Sequence, residues 1–547
     1  EPAPLTQPAP LRSTTRGATG RTGRSPRPPL LLLLAGGGVV AAMLLPVAYL
    51  LLRTLTADAD VLRQVLRART FEVFAGTALL ALAVTAACIL IGVPLAWLTS
   101  ATDLPGRRLL AVLITLPLAI PTYVGGYAVI SALGPRGALQ GFLGPIVGVE
   151  RLPQLYGFWG AWLALTLFSY PYVVLSVQSG LRGLDPALEE AARSLGYGPA
   201  RVFWSVTLPH LRPSIVAGAL LVALYTLSDF GAVSLLQFNS FSRAIYVQYR
   251  GAFNRDYAAA LGLLLVGLTA LILAGETWTR GQGRYHRSTA GATRPRPRVR
   301  LGRWRWPALV FIGLVVLLAL VLPVGVIAFW LIRGLLGGEP LRLVWQAAWN
   351  SVYSSALGAA CAVVAALPIA VLAVRFRSRW STLFEGITYA GYALPGIVVA
   401  LALVRFASHY APVVYQTLTL MIFAYVLRFL PQALGTLRSS LLSVSPHVEE
   451  AARSLGHSPL RVSLRVTLPL IRPGLLSGAA LVFLTAMKEL PATLLLGPTG
   501  FKTLATVTWT ATAEGFFARA AAPALLIILV SGVSMLLVLR TTGRESP

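Results

Sequence analysis

The chain has 547 residues, of which 56% are hydrophobic and only 12% charged, and its mean hydropathy is +0.72. A water-soluble protein carries about a quarter of its residues as charges, so composition excludes a soluble enzyme or carrier and points to a membrane protein. The formal charge of +27 invites a nucleic-acid reading, but the arginines crowd the ends of apolar segments and a few short loops, as orientation determinants do, which argues against nucleic acid as a partner.

Residues 1–29 are rich in Pro, Arg, Thr and Gly and read as a disordered basic tail. The following run, Leu30 to Leu52, exceeds the roughly 7–15 residue core of a signal peptide and reads as a first membrane helix. Twelve spans are expected, at 30–52, 73–99, 108–131, 158–180, 213–236, 257–276, 307–332, 347–374, 383–406, 411–432, 473–496 and 517–540. Each is near the ~20 residues a helix needs to cross the hydrocarbon layer. The runs are continuous rather than alternating, so the fold class is an all-α polytopic membrane protein and not a barrel. Cys88 and Cys361 lie inside apolar runs without a CxxC partner and read as small core residues.

Loop charge sets the orientation. With the basic tail inside, every even-numbered loop is inside too, and these loops hold Arg107 and Arg108, Arg182 to Arg212, the run from Arg280 to Arg305, Arg375 to Arg379, Arg438 to Arg472, and the C-terminal Arg540 and Arg544. Both termini are therefore expected on the cytoplasmic side. Only the outer segment 53–72, with Arg53, Arg63, Arg67 and Arg69, pulls the other way.

The Gly/Pro/Arg segment 277–306 divides the chain into two six-helix halves, 30–276 and 307–541. The halves repeat: Pro94 and Pro368, like Pro121 and Pro395, stand 274 residues apart, and from the octapeptide EEAARSLG (Glu189 to Gly196, and Glu449 to Gly456 in its second copy) the offset becomes 260. Over Glu189–Pro213 and Glu449–Pro473, 17 of 25 residues are identical. Lipid-facing helices exchange aliphatic residues freely, so a polar stretch kept this alike in both halves faces something that reads its shape.

Local physics makes each copy a helix–turn–helix on the membrane surface. Asp185 and Ser445 stand as N-caps before Pro186 and Pro446 at the first helical position. Glu189 with Arg193, and Glu449 with Arg453, have i,i+4 spacing in the favourable order. Gly196 and Gly456 are placed to end the first helix in a left-handed conformation, and Pro199 and Pro459 open the second. The paired alanines leave little side-chain bulk on the helix.

Glu190-Ala191-Ala192, Gly196 and Val206-Thr207-Leu208-Pro209, with Glu450-Ala451-Ala452, Gly456 and Val466-Thr467-Leu468-Pro469, resemble the EAA loop of binding-protein-dependent ABC importer permeases. Valine in place of the usual isoleucine is the one departure. The resemblance covers roughly 71–276 and 345–541 and implies the type I ABC importer transmembrane fold in a bacterial inner membrane. It further implies that EAA loops 185–209 and 445–469 act as coupling helices, with Glu190, Ala191, Ala192, Gly196, Pro209, Glu450, Ala451, Ala452, Gly456 and Pro469 docking on the ATPase. Two loops in one chain imply two cytoplasmic ABC ATPase subunits as partners, together with an external substrate-binding protein. ATP and Mg would be bound by the ATPase, and this chain would be a transport subunit rather than an enzyme. It carries no G-x-x-x-x-G-K-[ST] phosphate loop and no His/Cys/Asp/Glu cluster at metal spacing.

Leu227 to Tyr249 (LSDFGAVSLLQFNSFSRAIYVQY) and Met487 to Trp509 (MKELPATLLLGPTGFKTLATVTW) resemble segments of ferric-iron permeases, with thiamine and aminoethylphosphonate permeases as similar alternatives. A secondary transporter is a further alternative, although it has no use for a duplicated docking loop. Asp229 and Glu489 occupy equivalent positions in the outer part of the fifth and eleventh spans, where acids are costly and usually face an internal path. They are candidates for a cation route, with Lys488 as the alternative neutraliser of Glu489. Pro117, Pro121 and Pro395 break the third and ninth spans and are hinge candidates, or ordinary kinks. Outer loops 132–157, 237–256 and 497–516 are candidate docking surfaces for the binding protein.

Overall fold

In a computed structural model the described residues are 28–134, 155–251, 255–279, 298–340, 342–376, 378–391 and 393–544. The basic tail up to residue 27, most of the inter-half segment and most of loop 132–157 lie outside them. The described residues are helical apart from one isolated β-bridge, Thr102 with Val299. Nine helices are long and apolar enough to cross a membrane, and three further helix pairs, each bent at a short break, bring the total to 12.

Spans one, two and four are the single helices Leu30–Leu55, Ala68–Ala101 and Phe158–Gly183. Their counterparts in the second half are Arg305–Leu336 (through a π-turn at Leu317–Val321), Arg342–Arg375 and Leu418–Ser443. Leucines and valines on their outer faces, such as Leu82, Leu90, Val310 and Val364, are exposed, as helices that are apolar all round and meet lipid require.

The third and ninth spans are broken rather than kinked. Arg107–Thr115 passes into a 3₁₀ turn at Leu116–Ala119, and Pro121 then opens Thr122–Leu133 at 94° to the first piece. Ile120, forced out of the helical region by the proline that follows it, has ψ 116°. In the second half, Arg379–Gly391 and Gly396–Tyr410 meet at 103°, with Pro395 at the same place.

Two spans end earlier than the apolar pattern implies. The expected helix 213–236 stops at Ser228 and restarts as Gly231–Leu235, and the expected 473–496 stops at Met487 and restarts as Pro491–Leu496. In each case the acid at the break, Asp229 or Glu489, caps the following turn through its carboxylate. Ala232 N and Val233 N donate to Asp229 Oδ1 at 3.0 and 3.2 Å, and Ala492 N donates to Glu489 Oε1 at 3.1 Å. A local acceptor for orphan N–H groups starts a new helix where apolar periodicity alone reads straight through.

Packing does not follow chain order. The N-terminal part of the first span, with Val40 and Met43, belongs to the core of the second half beside Leu372, Phe384 and Val399. Gly36 permits that approach, since a Cβ there would lie 3.0 Å from Leu372 Cδ1 and 3.3 Å from Phe384 Cδ2. Reciprocally, Ala308, Ile312, Val315 and Val316 of the seventh span complete the core of the first half beside Leu95, Ile114 and Leu181. A third cluster, with Tyr123, Tyr127, Phe230, Ile397, Val398, Met487 and Leu490, joins the halves at the centre.

The exceptional positive charge of segment 53–72 is partly explained. Arg53 pairs with Asp256 at 2.6 Å and Arg63 with Asp60 at 3.3 Å, so two of its four arginines are compensated where they stand.

Candidate functional site

Each helix–turn–helix, an elbow over 185–209 or 445–469, is built as its sequence requires. Asp185 Oδ1 accepts from Ala187 N (3.0 Å) at the start of Pro186–Ser194, and Ser445 Oγ accepts from His447 N (3.4 Å) at the start of Pro446–Ser454. Gly196 and Gly456 take φ of +82° and +86°, a region costly for any residue with a Cβ. That conformation lets Tyr197 N reach Ala192 O (3.1 Å) and His457 N reach Ala452 O (3.3 Å), closing both helices in the same way.

The chain then turns back through Pro199–Val202 or Pro459–Val462 into a π-turn, Phe203–Thr207 or Ser463–Thr467. The extra residue in each π-turn rotates its last threonine inward. Thr207 Oγ1 donates to Glu189 Oε1 (2.6 Å) and Thr467 Oγ1 to Glu449 Oε1 (3.0 Å). The first glutamate of each octapeptide is therefore a buried brace, 3% and 7% exposed, rather than a docking group. In the second elbow the anticipated partner Arg453 stands 3.8 Å from Glu449, while Arg375 reaches Glu449 Oε1 with Nη2 at 2.9 Å and Nε at 3.2 Å. The brace pairs and Arg375 escape sequence reasoning, although Glu189 and Thr207 both fall among the identical repeat positions.

What the elbows leave facing outward is Glu190, Ala191 and Gly196, and likewise Glu450, Ala451 and Gly456, while Ala192 and Ala452 turn inward. The paired alanines thus split, one packing the elbow and one clearing its surface. Pro209 and Pro469 are half-buried in the helices leaving the π-turns. At each tip stands an unsheltered leucine, Leu195 at 76% and Leu455 at 79% exposure, and further apolar side chains, Trp204 on the first elbow and Leu460 on the second, are exposed behind it. Both elbows thus carry an equivalent apolar knob.

The second element is a cavity of about 190 Å³ between the halves. Its lining includes Leu118, Pro121 and Thr122 from the broken third span, Asp229 and Glu489 from the two re-entrant breaks, and Arg428 and Lys488. Asp229 is buried and, besides its capping bonds, accepts from the Thr122 hydroxyl. Glu489 is buried against the Arg428 guanidinium. Lys488, the expected neutraliser of Glu489, points elsewhere: its Nζ donates across the interface to Leu118 O at 3.2 Å. Among the described residues the buried hydroxyl of Tyr123, also on the lining, has no hydrogen-bond partner.

The expected outer loops 237–256 and 497–516 hold helices, Phe241–Arg250 and Leu504–Ala513, the latter opened by a capping box at Thr503 and Thr506. Phe230, Tyr246 and Trp509 meet with ring centroids 4.8–5.9 Å apart, so these helices tie the two halves together outside the cavity.

Comparison with known proteins agrees with this geometry. Residues 92–278 and 362–542 each match the family described as binding-protein-dependent transport system inner membrane component. The Fe(3+)-transport system permease protein FbpB 2 of Haemophilus influenzae is 36% identical over 518 residues, 93% of this chain and 98% of that protein. The molybdenum transport system permease ModB of Escherichia coli is 33% identical over 229 residues, 39% of this chain and 95% of its own length. The ferric transport system permease FbpB of Actinobacillus pleuropneumoniae is 25% identical over 399 residues, 70% of this chain and 58% of that protein. With both halves matched and two elbows of one design, the chain belongs to the family of binding-protein-dependent transport system inner membrane components.

Proposed function

We propose that this chain is the fused permease of an ATP-driven importer for ferric iron. The twin elbows carry this reading: two surfaces of the same shape, on one polypeptide, fit two equivalent clefts of an ATPase dimer. Ferric iron rests on the H. influenzae relative, named for Fe(3+) and similar along nearly the whole chain. The arginine distribution supports cytoplasmic elbows and cytoplasmic termini.

ATP binding draws the ATPase subunits together and the elbows with them. Each elbow is braced internally by its glutamate–threonine bond, so it moves as a unit and passes displacement to the spans behind it. The breaks at Pro121 and Pro395 act as hinges, and the central cavity opens alternately outward and inward. Nucleotide shifts this equilibrium only through the different contacts the elbows make with open and closed ATPases. Asp229 and Glu489 hold the re-entrant turns that wall the route.

The test is reconstitution of the chain with its ATPase and external binding protein in vesicles. Uptake of radioactive ferric iron should require ATP and the binding protein. Gly196→Val with Gly456→Val should abolish uptake while the chain remains inserted, because neither glycine has a neighbour within 4 Å for the new side chain to strike; backbone strain of about 1–2 kcal/mol at each elbow is the only cost. Uptake persisting without any ATPase would defeat the importer reading, and ATP-driven uptake of another solute with none of iron would defeat the substrate.

A further inference from the structure

Four charged side chains line the central cavity: Asp229, Glu489, Arg428 and Lys488. Three are committed within their own half. Asp229 takes two backbone N–H groups and the Thr122 hydroxyl, and Glu489 takes Arg428 and the Ala492 N–H. Lys488 differs in two respects. Among the described residues no carboxylate lies within 4.0 Å of its ammonium, and its one side-chain bond crosses from the second half to the first.

The acceptor matters as much as the donor. Leu118 lies in the 3₁₀ turn before Pro121, where the break in the span strips carbonyls of their usual i+4 donors. A carbonyl left over at a hinge has thus found an ammonium on the opposite wall. The position equivalent to Lys488 in the first half is Ser228, whose hydroxyl turns back to Tyr225 O at 3.0 Å. The pathway therefore carries one lysine and no symmetric counterpart.

Building on the importer reading, we propose that Lys488 is the gate of this route: its bond to Leu118 latches the two halves and so keeps the route shut to unescorted cations. Any rocking that separates the halves must break this bond, since its two ends ride on different halves. The four charges on the lining balance, because Asp229 keeps its charge beneath its hydrogen bonds, so it is the latch and not a net field that holds the route closed. Import opens the latch only when the ATPase supplies the displacement.

The test uses the full complex in vesicles loaded with dipicolinate, with terbium(III) outside and no ATP, so that luminescence reports a passive trivalent-cation leak. Lys488→Met should raise the leak about tenfold, the worth of one charge-assisted bond, and raise ATP hydrolysis in the absence of binding protein. Lys488→Arg, keeping donor and charge, should stay at the wild-type level. If the methionine variant does not assemble with the ATPase, Lys488→Ala, which also lacks a donor for Leu118 O, should leak in its place. A leak and basal ATPase activity unchanged in both neutral variants would overturn the gate. Absent ATP-dependent iron uptake by the wild type in the same vesicles would instead sink the importer reading, leaving the leak comparison to judge Lys488 alone.

Discussion

The two halves solve one problem with different parts. Each must hold an acid at the break of a re-entrant span. In the first half the acid is short, Asp229, and a threonine on the neighbouring half-helix, Thr122, satisfies it, with Phe168 packed alongside. In the second half the acid is longer, Glu489, and Gly396 replaces the threonine. A Cβ on Gly396 would lie 2.0 Å from Arg428 Nη1, so the glycine makes room for the guanidinium. Arg428 stands where the repeat places Phe168. Three positions differ together between the halves.

The ends of the second span diverge as well. After Ala101 the first half grips the inter-half segment: Asp103 N donates to Val299 O (3.2 Å), Leu301 N donates to Asp103 Oδ1 (3.0 Å), and Arg305 pairs with the same carboxylate. In the second half the equivalent position is Arg375, which grips the elbow through Glu449 and Val444 O. The elbow tips, by contrast, agree down to the φ of their glycines. Divergence is tolerated where a half meets itself, and sameness is kept at the exposed elbow tips.

The largest effect should come from breaking the second acid site. Arg428→Met leaves Glu489 buried without its cation and should cost about 3–5 kcal/mol, read as a lower thermal midpoint in detergent. Converting the whole set, Gly396→Thr with Arg428→Phe and Glu489→Asp, should recover most of that loss. A triple variant no more stable than Arg428→Met would mean that the two sites are not interchangeable solutions.

Next in size is the elbow strut. Arg375→Met should release about 1.5–3 kcal/mol of bonding to a charged group. Amide exchange should rise at least about tenfold across 445–456 and stay unchanged across 185–196. Equal loosening of both elbows would show that the strut is not local.

The smallest effect concerns the clasp at Asp103. The Arg305 guanidinium holds its carboxyl below the ordinary carboxylate range. A depressed folded value means that the clasp contributes fully above the ordinary carboxylate range and weakens progressively as pH falls from that range through the lowered value. Proteolysis beside Val299 should therefore be flat near neutral pH, begin to rise at the ordinary carboxylate range and level off below the lowered value, whereas Asp103→Asn should be cut readily at every pH. Cleavage that stays flat across that window would deny the pairing.

The sequence carries those features whose cause is local. Twelve apolar runs, the caps at Asp185 and Ser445, the left-handed glycines and the breaking prolines each depend on a few neighbouring residues, and they stand as expected. The features that escape it join distant segments. Thr122 and Asp229 are 107 residues apart, and Arg428 and Glu489 are 61 apart across a space that only Gly396 opens. The early ends of the fifth and eleventh spans are hidden because the residues beyond the break remain apolar. The inward turn of Thr207 needs the register shift of a π-turn, which has no strong sequence mark. Lys488 misleads for a simpler reason: adjacency to Glu489 in the chain suggests a pair, but neighbours around a break point in different directions.

The exchange of first helices has a consequence for biosynthesis. Gly36 packs on Leu372, so the opening helix leaves the ribosome roughly 340 residues before its lasting neighbour, a wait of about 20–70 s at ordinary elongation rates. During that interval its small-residue face has only lipid or the insertion machinery for company. A nascent chain of this design stays unfinished until its second half is made, and a product truncated after its first half would leave the Gly36 face uncovered and its own core open where the seventh span belongs.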